Sequence, residues 1–130
     1  MKKLKFNIPI YDFDITLAQV ESKDDTNKVL SMMKSIKCPQ EYLDSVKDNI
    51  ERGCYGGGET FYNFDIKEML IVFYNFVEEE SRWEVYSHEK RHIEDRILQH
   101  SNVEDIESAG LLAGYLGRKF YDFINLVTKK

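Results

Sequence analysis

Cysteine is scarce in this chain: Cys38 and Cys54 stand alone among 130 residues, and neither belongs to a C-x-x-C. That excludes a disulfide framework and a thiolate zinc site and leaves both as core or surface thiols; no signature supports a Cys-His nucleophile. Long hydrophobic runs are also missing, and no segment reaches the roughly 20 apolar residues of a membrane span. After the basic Lys2-Lys3, the stretch from Leu4 to Leu17 is broken by Lys5, Asn7, Pro9, Asp12 and Asp14, so no secretory core is expected. The expected compartment is the cytoplasm, with no membrane partner. Positive charge is in deficit, since 18 Lys and Arg against 23 Asp and Glu leave −5. Binding along a phosphate backbone draws on clustered cations, so nucleic acid is not an expected partner. Gly56-Gly57-Gly58 fits neither glycine-rich phosphate motif and reads as a turn, placed to act as a lid on the substrate side.

What is present has a globular balance, 42% hydrophobic and 32% charged residues, enough for one domain over residues 1–130 whose core needs no staples. Period-2 alternation around Phe13, Ile15 and Leu17 predicts one or two strands between Lys5 and Val20, with Pro9 at an edge or a break. Ser22, Asp24 and Asp25 offer cap oxygens before Val29, Leu30, Met33 and Ile36, which recur at helical spacing. Pro39 suits the start of a second helix with the stripe Tyr42, Leu43, Val46, Ile50 and an ending at Gly53. Thr60 to Phe64 and Met69 to Phe76 read as paired strands. Glu78, Glu79 and Glu80 then favour the start of a long helix running to about His100, which Ser101-Asn102 ends. A last amphipathic helix is expected from about Val103 through Ile124. The predicted fold is α+β: a small mixed or antiparallel sheet with two short helices, followed by two long helices packed against each other.

The chemistry lies in the first long helix. Residues 88 to 92 read His-Glu-Lys-Arg-His, an H-E-x-x-H. Residues four apart on a helix share a face, so the imidazoles of His88 and His92 can meet on one ion about 2.0 Å from each nitrogen. Glu89 sits one residue round, placed to serve a metal-bound water as a base. A catalytic zinc takes a third protein ligand. His100 lies eight residues past His92, about 12 Å along the helix, too far to share the ion. The metzincin spacing is excluded, because it needs a glycine and a histidine where Asp95 and Leu98 stand. Glu104, Asp105 and Glu107, beyond the turn, remain as candidates.

The run Asp105-Ile106-Glu107-Ser108-Ala109-Gly110-Leu111-Leu112-Ala113-Gly114-Tyr115-Leu116 resembles the second signature of minigluzincin-like zinc metallopeptidases of phages and mobile elements. In that group a glutamate heading an Ala-rich helix follows the H-E-x-x-H helix. Phe6-Asn7-Ile8-Pro9-Ile10-Tyr11-Asp12 resembles the strand that opens these proteins, so the resemblance spans most of the chain. It implies a zincin-like fold, Zn2+ as cofactor, His88, His92 and Glu107 as metal ligands, and hydrolysis of a peptide or protein substrate. The chain departs from larger gluzincins at Leu111, where they carry an acidic residue, and from the small group's Ala-Tyr pair, which reads Ala109-Gly110. For Glu107 to act, the turn must carry it from the level of Asp95 to that of His92.

The roles expected are Glu89 as general base and, for the oxyanion, a donor such as Tyr115, two turns beyond Glu107 on one helix face. An edge strand, Thr60 to Phe64 or Met69 to Phe76, would bind extended substrate through its backbone. Three other readings stand beside this one. The fold could serve as a non-catalytic interaction or regulatory module of a phage or mobile element; the metal could be purely structural; and residues 87 to 96 could form a solvated face of i,i+4 ion pairs, with Glu107 a helix-start carboxylate. The sequence implies no oligomeric state.

Overall fold

The alternation of side chains along the strands explains the architecture found in a computed structural model of the chain, which describes residues 1–53, 57–74 and 79–128, the last segment without the side chains of 79–81. The readings for Cys54, Gly56, a strand end at Phe76 and the carboxylate of Glu78 fall outside the described residues. The strands are β1 (Lys2–Ile8), β2 (Phe13–Gln19), β3 (Gly58–Asn63) and β4 (Glu68–Phe73), and the helices are α1 (Thr26–Ser35), α2 (Gln40–Glu51), α3 (Glu79–His100) and α4 (Ile106–Thr128). The fold is α+β, with one mixed sheet in the order β1-β2-β4-β3.

β1 and β2 form an antiparallel hairpin with Phe6 opposite Ile15, and Pro9 falls in its turn. β3 and β4 pair antiparallel, Thr60 opposite Ile71. β2 and β4 run parallel, Leu17 opposite Ile71. β4 is therefore an inner strand covered on both faces, which is why Met69-Leu70-Ile71-Val72-Phe73 is continuously apolar rather than alternating. β3 is an edge.

Alternate positions along each strand go to opposite layers. Phe13, Ile15, Leu17, Met69, Ile71 and Phe73 join Tyr86, Ile93, Ile97, Leu116, Phe120 and Phe123 of α3 and α4 in one core. Ala18, Val20, Phe61, Leu70 and Val72 join Val29, Met33, Leu43 and Val46 of α1 and α2 in a second core on the other face. The sheet thus lies between two helix pairs. On the α3 and α4 face, the buried Tyr86 hydroxyl donates to Gln19 Oε1 at 2.8 Å, and burial pushes that phenol up to about 12.

The helix ends follow the expected chemistry. Ser22 and Asp25 form a capping box on a single 3-10 turn that leads into α1, Pro39 stands directly before α2, and Gly53 closes that helix at φ 69°. Asn102, at φ 54°, takes the left-handed turn after α3. α4 starts later than Val103, at Ile106, because the Asp105 carboxylate accepts the Ser108 amide at 2.8 Å and caps the helix there. Tyr42, assigned to the α2 stripe, is largely exposed and packs against Phe61. No helix among the described residues is long and apolar enough to cross a membrane.

Candidate metal centre

On α3 the core-facing positions are Tyr86, Ile93 and Ile97. At about 100° per residue, Glu89 falls to one side of that stripe, toward β3, while His88 and His92 fall farther round, toward solvent. The burial agrees: both histidines are exposed and Glu89 is only 5% exposed. His88, Glu89 and His92 each offer a ligand atom, and these atoms all lie within 4.8 Å of one another. The two Nε2 atoms face each other at 2.9 Å with the rings nearly perpendicular.

Two structural features place Glu89. Thr60 of β3 donates its hydroxyl to Oε2 at 2.5 Å. Below it, a Cβ built on Gly58 would come within 3.1 Å of Glu89 Cγ, 3.1 Å of Phe73 Cδ1 and 3.2 Å of the Val72 carbonyl oxygen, so any larger residue there would require the glutamate stem, the ring or the strand to give by a few tenths of an ångström. The histidines, Glu89 and Arg96 line an open cleft with Gly58, Glu59, Thr60 and Tyr62. Glu59 turns its carboxylate to the other face of the sheet, where Asn49 and Tyr74 donate to it at 3.1 and 2.9 Å.

The helix runs beside the edge strand in step with it. Glu89 meets Gly58 and Thr60, Arg96 lies over the Tyr62 ring at 4.9 Å from its centroid, and His100 stacks on Phe64 at 4.7 Å. Four helical residues advance about 6 Å and two strand residues about 6.6 Å, so the two elements keep register through the cleft. In the sequence Gly58 figured only in a glycine turn, Thr60 and Tyr62 only in a strand whose backbone would bind substrate, and Arg96 only in a charged helix face; no spacing put the Thr60 hydroxyl or the Tyr62 ring beside the metal helix, and the i+4 spacing of Arg96 from His92 was the one signal for its face.

Glu107, expected as third ligand, is not among the described residues whose ligand atoms gather at the histidines. A Cβ on Gly117 of α4 would lie 3.7 Å from Lys90 Cε, which sets Lys90 level with Gly117. In antiparallel helices Glu107 is then level with His100, about 12 Å along the axis from His92. Lys90 is also about 200° round the helix from each histidine, so α4 lies on the side of α3 that the histidines face away from. Glu107 is exposed in the first turn of α4, where its charge suits the helix dipole. Asp105 is the cap, and Glu104 lines a separate cleft with Asp95 and Asn102.

Tyr115, expected as oxyanion donor, is not brought to the cleft. Its hydroxyl donates to the Asn7 carbonyl of β1 at 2.8 Å, and its ring packs against Phe6. β1 and β3 are opposite edges of the sheet, three strand spacings or about 14 Å apart. Ion pairs do lace α3, Lys90 with Glu94 at 3.3 Å and Arg91 with Asp95 at 3.2 Å, but His88, Glu89 and His92 take no part in them.

The two imidazoles fit a divalent ion. Tetrahedral ligation at about 2.05 Å needs nitrogens about 3.3 Å apart, a small ring rotation from the observed separation. Among the described residues no side chain from another element completes the set. No family model matches this chain, and comparison with curated proteins and with solved structures finds no similar chain.

Proposed function

We propose that the chain is a zinc-dependent peptidase of zincin type in which His88 and His92 hold the metal and Glu89 manages the proton. The observation that supports this reading is the conjunction of two converging imidazoles with a buried, oriented carboxylate beside the open edge of a sheet. When bound, zinc supplies Lewis-acid activation of a water and of an amide carbonyl. Glu89 takes the proton from the attacking water and returns it to the leaving nitrogen. Thr60 occupies Oε2, which leaves Oε1 for that proton. Extended substrate would add to the outer side of β3, where the unpaired backbone groups of an edge strand are available. With two imidazoles as the strong ligands among the described residues, the zinc is expected to be exchangeable.

The test is zinc stoichiometry by elemental analysis together with cleavage of an unstructured protein. One exchangeable zinc per chain, with hydrolysis lost in Glu89→Gln while zinc is retained, supports the reading. No zinc uptake, or hydrolysis that survives the substitution, overturns it. The position of Glu107 favours a second reading, a non-catalytic binding module, because a tightly held catalytic zinc takes three protein ligands. That module would bind its partner equally with and without zinc.

A further inference from the structure

Arg96 differs from the other cations of α3 near the cleft. Lys90 and Arg91 have carboxylates four residues on, whereas the positions one turn either side of Arg96 are His92 and His100. Among the described residues no carboxylate pairs with its guanidinium. The acids close by are otherwise engaged, Glu89 by Thr60, Glu59 by Asn49 and Tyr74, and Asp95 by Arg91. The guanidinium lies across the Tyr62 ring on the wall of the same cleft as the histidines. In a chain of net charge −5, this is a local cation held on a flat support and left with its fork of donors open.

We propose that Arg96, positioned by Tyr62, is a specificity-determining residue that receives a carboxylate of the bound peptide. The inference rests on the peptidase reading for what the peptide is doing there, but not for the binding itself. Arg96 lies about 6 Å along α3 from His92, and Tyr62 lies two residues along β3 from Thr60. An extended chain advances about 3.3 Å per residue, so the recognised carboxylate sits about two residues from the bond held at the histidines. A planar fork accepts a carboxylate through two parallel hydrogen bonds, whether it belongs to a chain end or to an acidic side chain.

The test follows the Arg96 Nε–Hε resonance in the full chain, metal-free and zinc-loaded, during titration with three acetylated alanine tetrapeptides. One ends in a free carboxylate, one in an amide, and one is the amide with aspartate at the third position. The expected result is that a carboxylate peptide shifts the Arg96 signal and binds at least about fivefold more tightly than the all-amide peptide. The preference is lost in Arg96→Gln and partly kept in Arg96→Lys. Whichever of the two carboxylates is preferred identifies the source, chain end or side chain. A signal that does not distinguish carboxylate from amide, or a preference that survives in Arg96→Gln, overturns the proposal. Because the preference is read in the metal-free chain as well, failure of zinc uptake would remove the peptidase reading and leave this result standing.

Discussion

Thr60 of the edge strand and Glu89 of the long third helix share one hydrogen bond, 2.5 Å between hydroxyl and carboxylate, and it ties that helix to the sheet at the cleft. The bond is partly buried and joins residues 29 apart in sequence. It fixes the carboxylate of a side chain that would otherwise have several rotamers on a helix surface.

Removing that hydroxyl without changing side-chain shape should separate orientation from metal binding. In Thr60→Val, zinc affinity should change by less than about threefold, while hydrolysis falls about tenfold or more, the usual cost of losing an outer-shell partner. Parallel zinc titrations and cleavage rates check this, and equal losses in both would contradict it.

The two histidines and Glu107 should behave differently. His88→Ala or His92→Ala should weaken zinc binding by at least about a hundredfold, and Glu107→Gln should leave it within about twofold. Competition with a chromophoric chelator measures all three. In the unaltered chain, uptake should weaken as pH falls, because protons compete with the metal for both imidazoles.

Gly58→Ala should disturb the site from below. The new methyl would meet a side chain that can shift, Glu89, but also the Phe73 ring in the core and the Val72 carbonyl of the neighbouring strand. The expected cost is about 1–2 kcal/mol in urea unfolding, together with displacement of the Glu89 carboxylate. A variant as stable as the parent chain would show that the strand pair yields more readily than its contacts suggest.

The amino-terminal side of the sheet carries a pH-dependent contribution. Burial pushes the Asp25 carboxyl up, but amides donated by Glu21 and Ser22 and the Met1 ammonium 3.3 Å away outweigh it and hold the carboxyl below its usual value. Its contribution is therefore fully present above the ordinary carboxylate range near about 4 and is lost as pH falls through the lower folded value. Asp25→Asn should cost about 1–3 kcal/mol at neutral pH and progressively less in acid, read from urea midpoints across that range.

Much of this fold is local chemistry and could be read directly from residues. Alternation marked the first strands, aromatic and branched residues marked the later pair, and the capping oxygens of Ser22 and Asp25, Pro39 and Gly53 marked the ends of the first two helices. The H-E-x-x-H spacing alone brings His88, Glu89 and His92 together, because four residues on a helix make about one turn whatever surrounds them. Glu107 and Tyr115 depended on where a second helix settles against the first. No periodicity within α4 encodes its level or its side, which are set by contacts such as Lys90 against Gly117.

The sequence by itself determined the secondary elements, the alternating faces of the strands and a pair of histidines with a glutamate between them, since each depends on neighbours within a few residues. Only the tertiary structure decided that β4 would pair in parallel with β2 and leave β3 at the edge. That choice placed Gly58, Thr60 and Tyr62 beside α3, engaged Glu89 and Arg96, and put α4 toward the opposite edge. The physical reason is that strand order and helix docking minimise exposed apolar surface over the whole chain, a sum to which no short segment holds the answer.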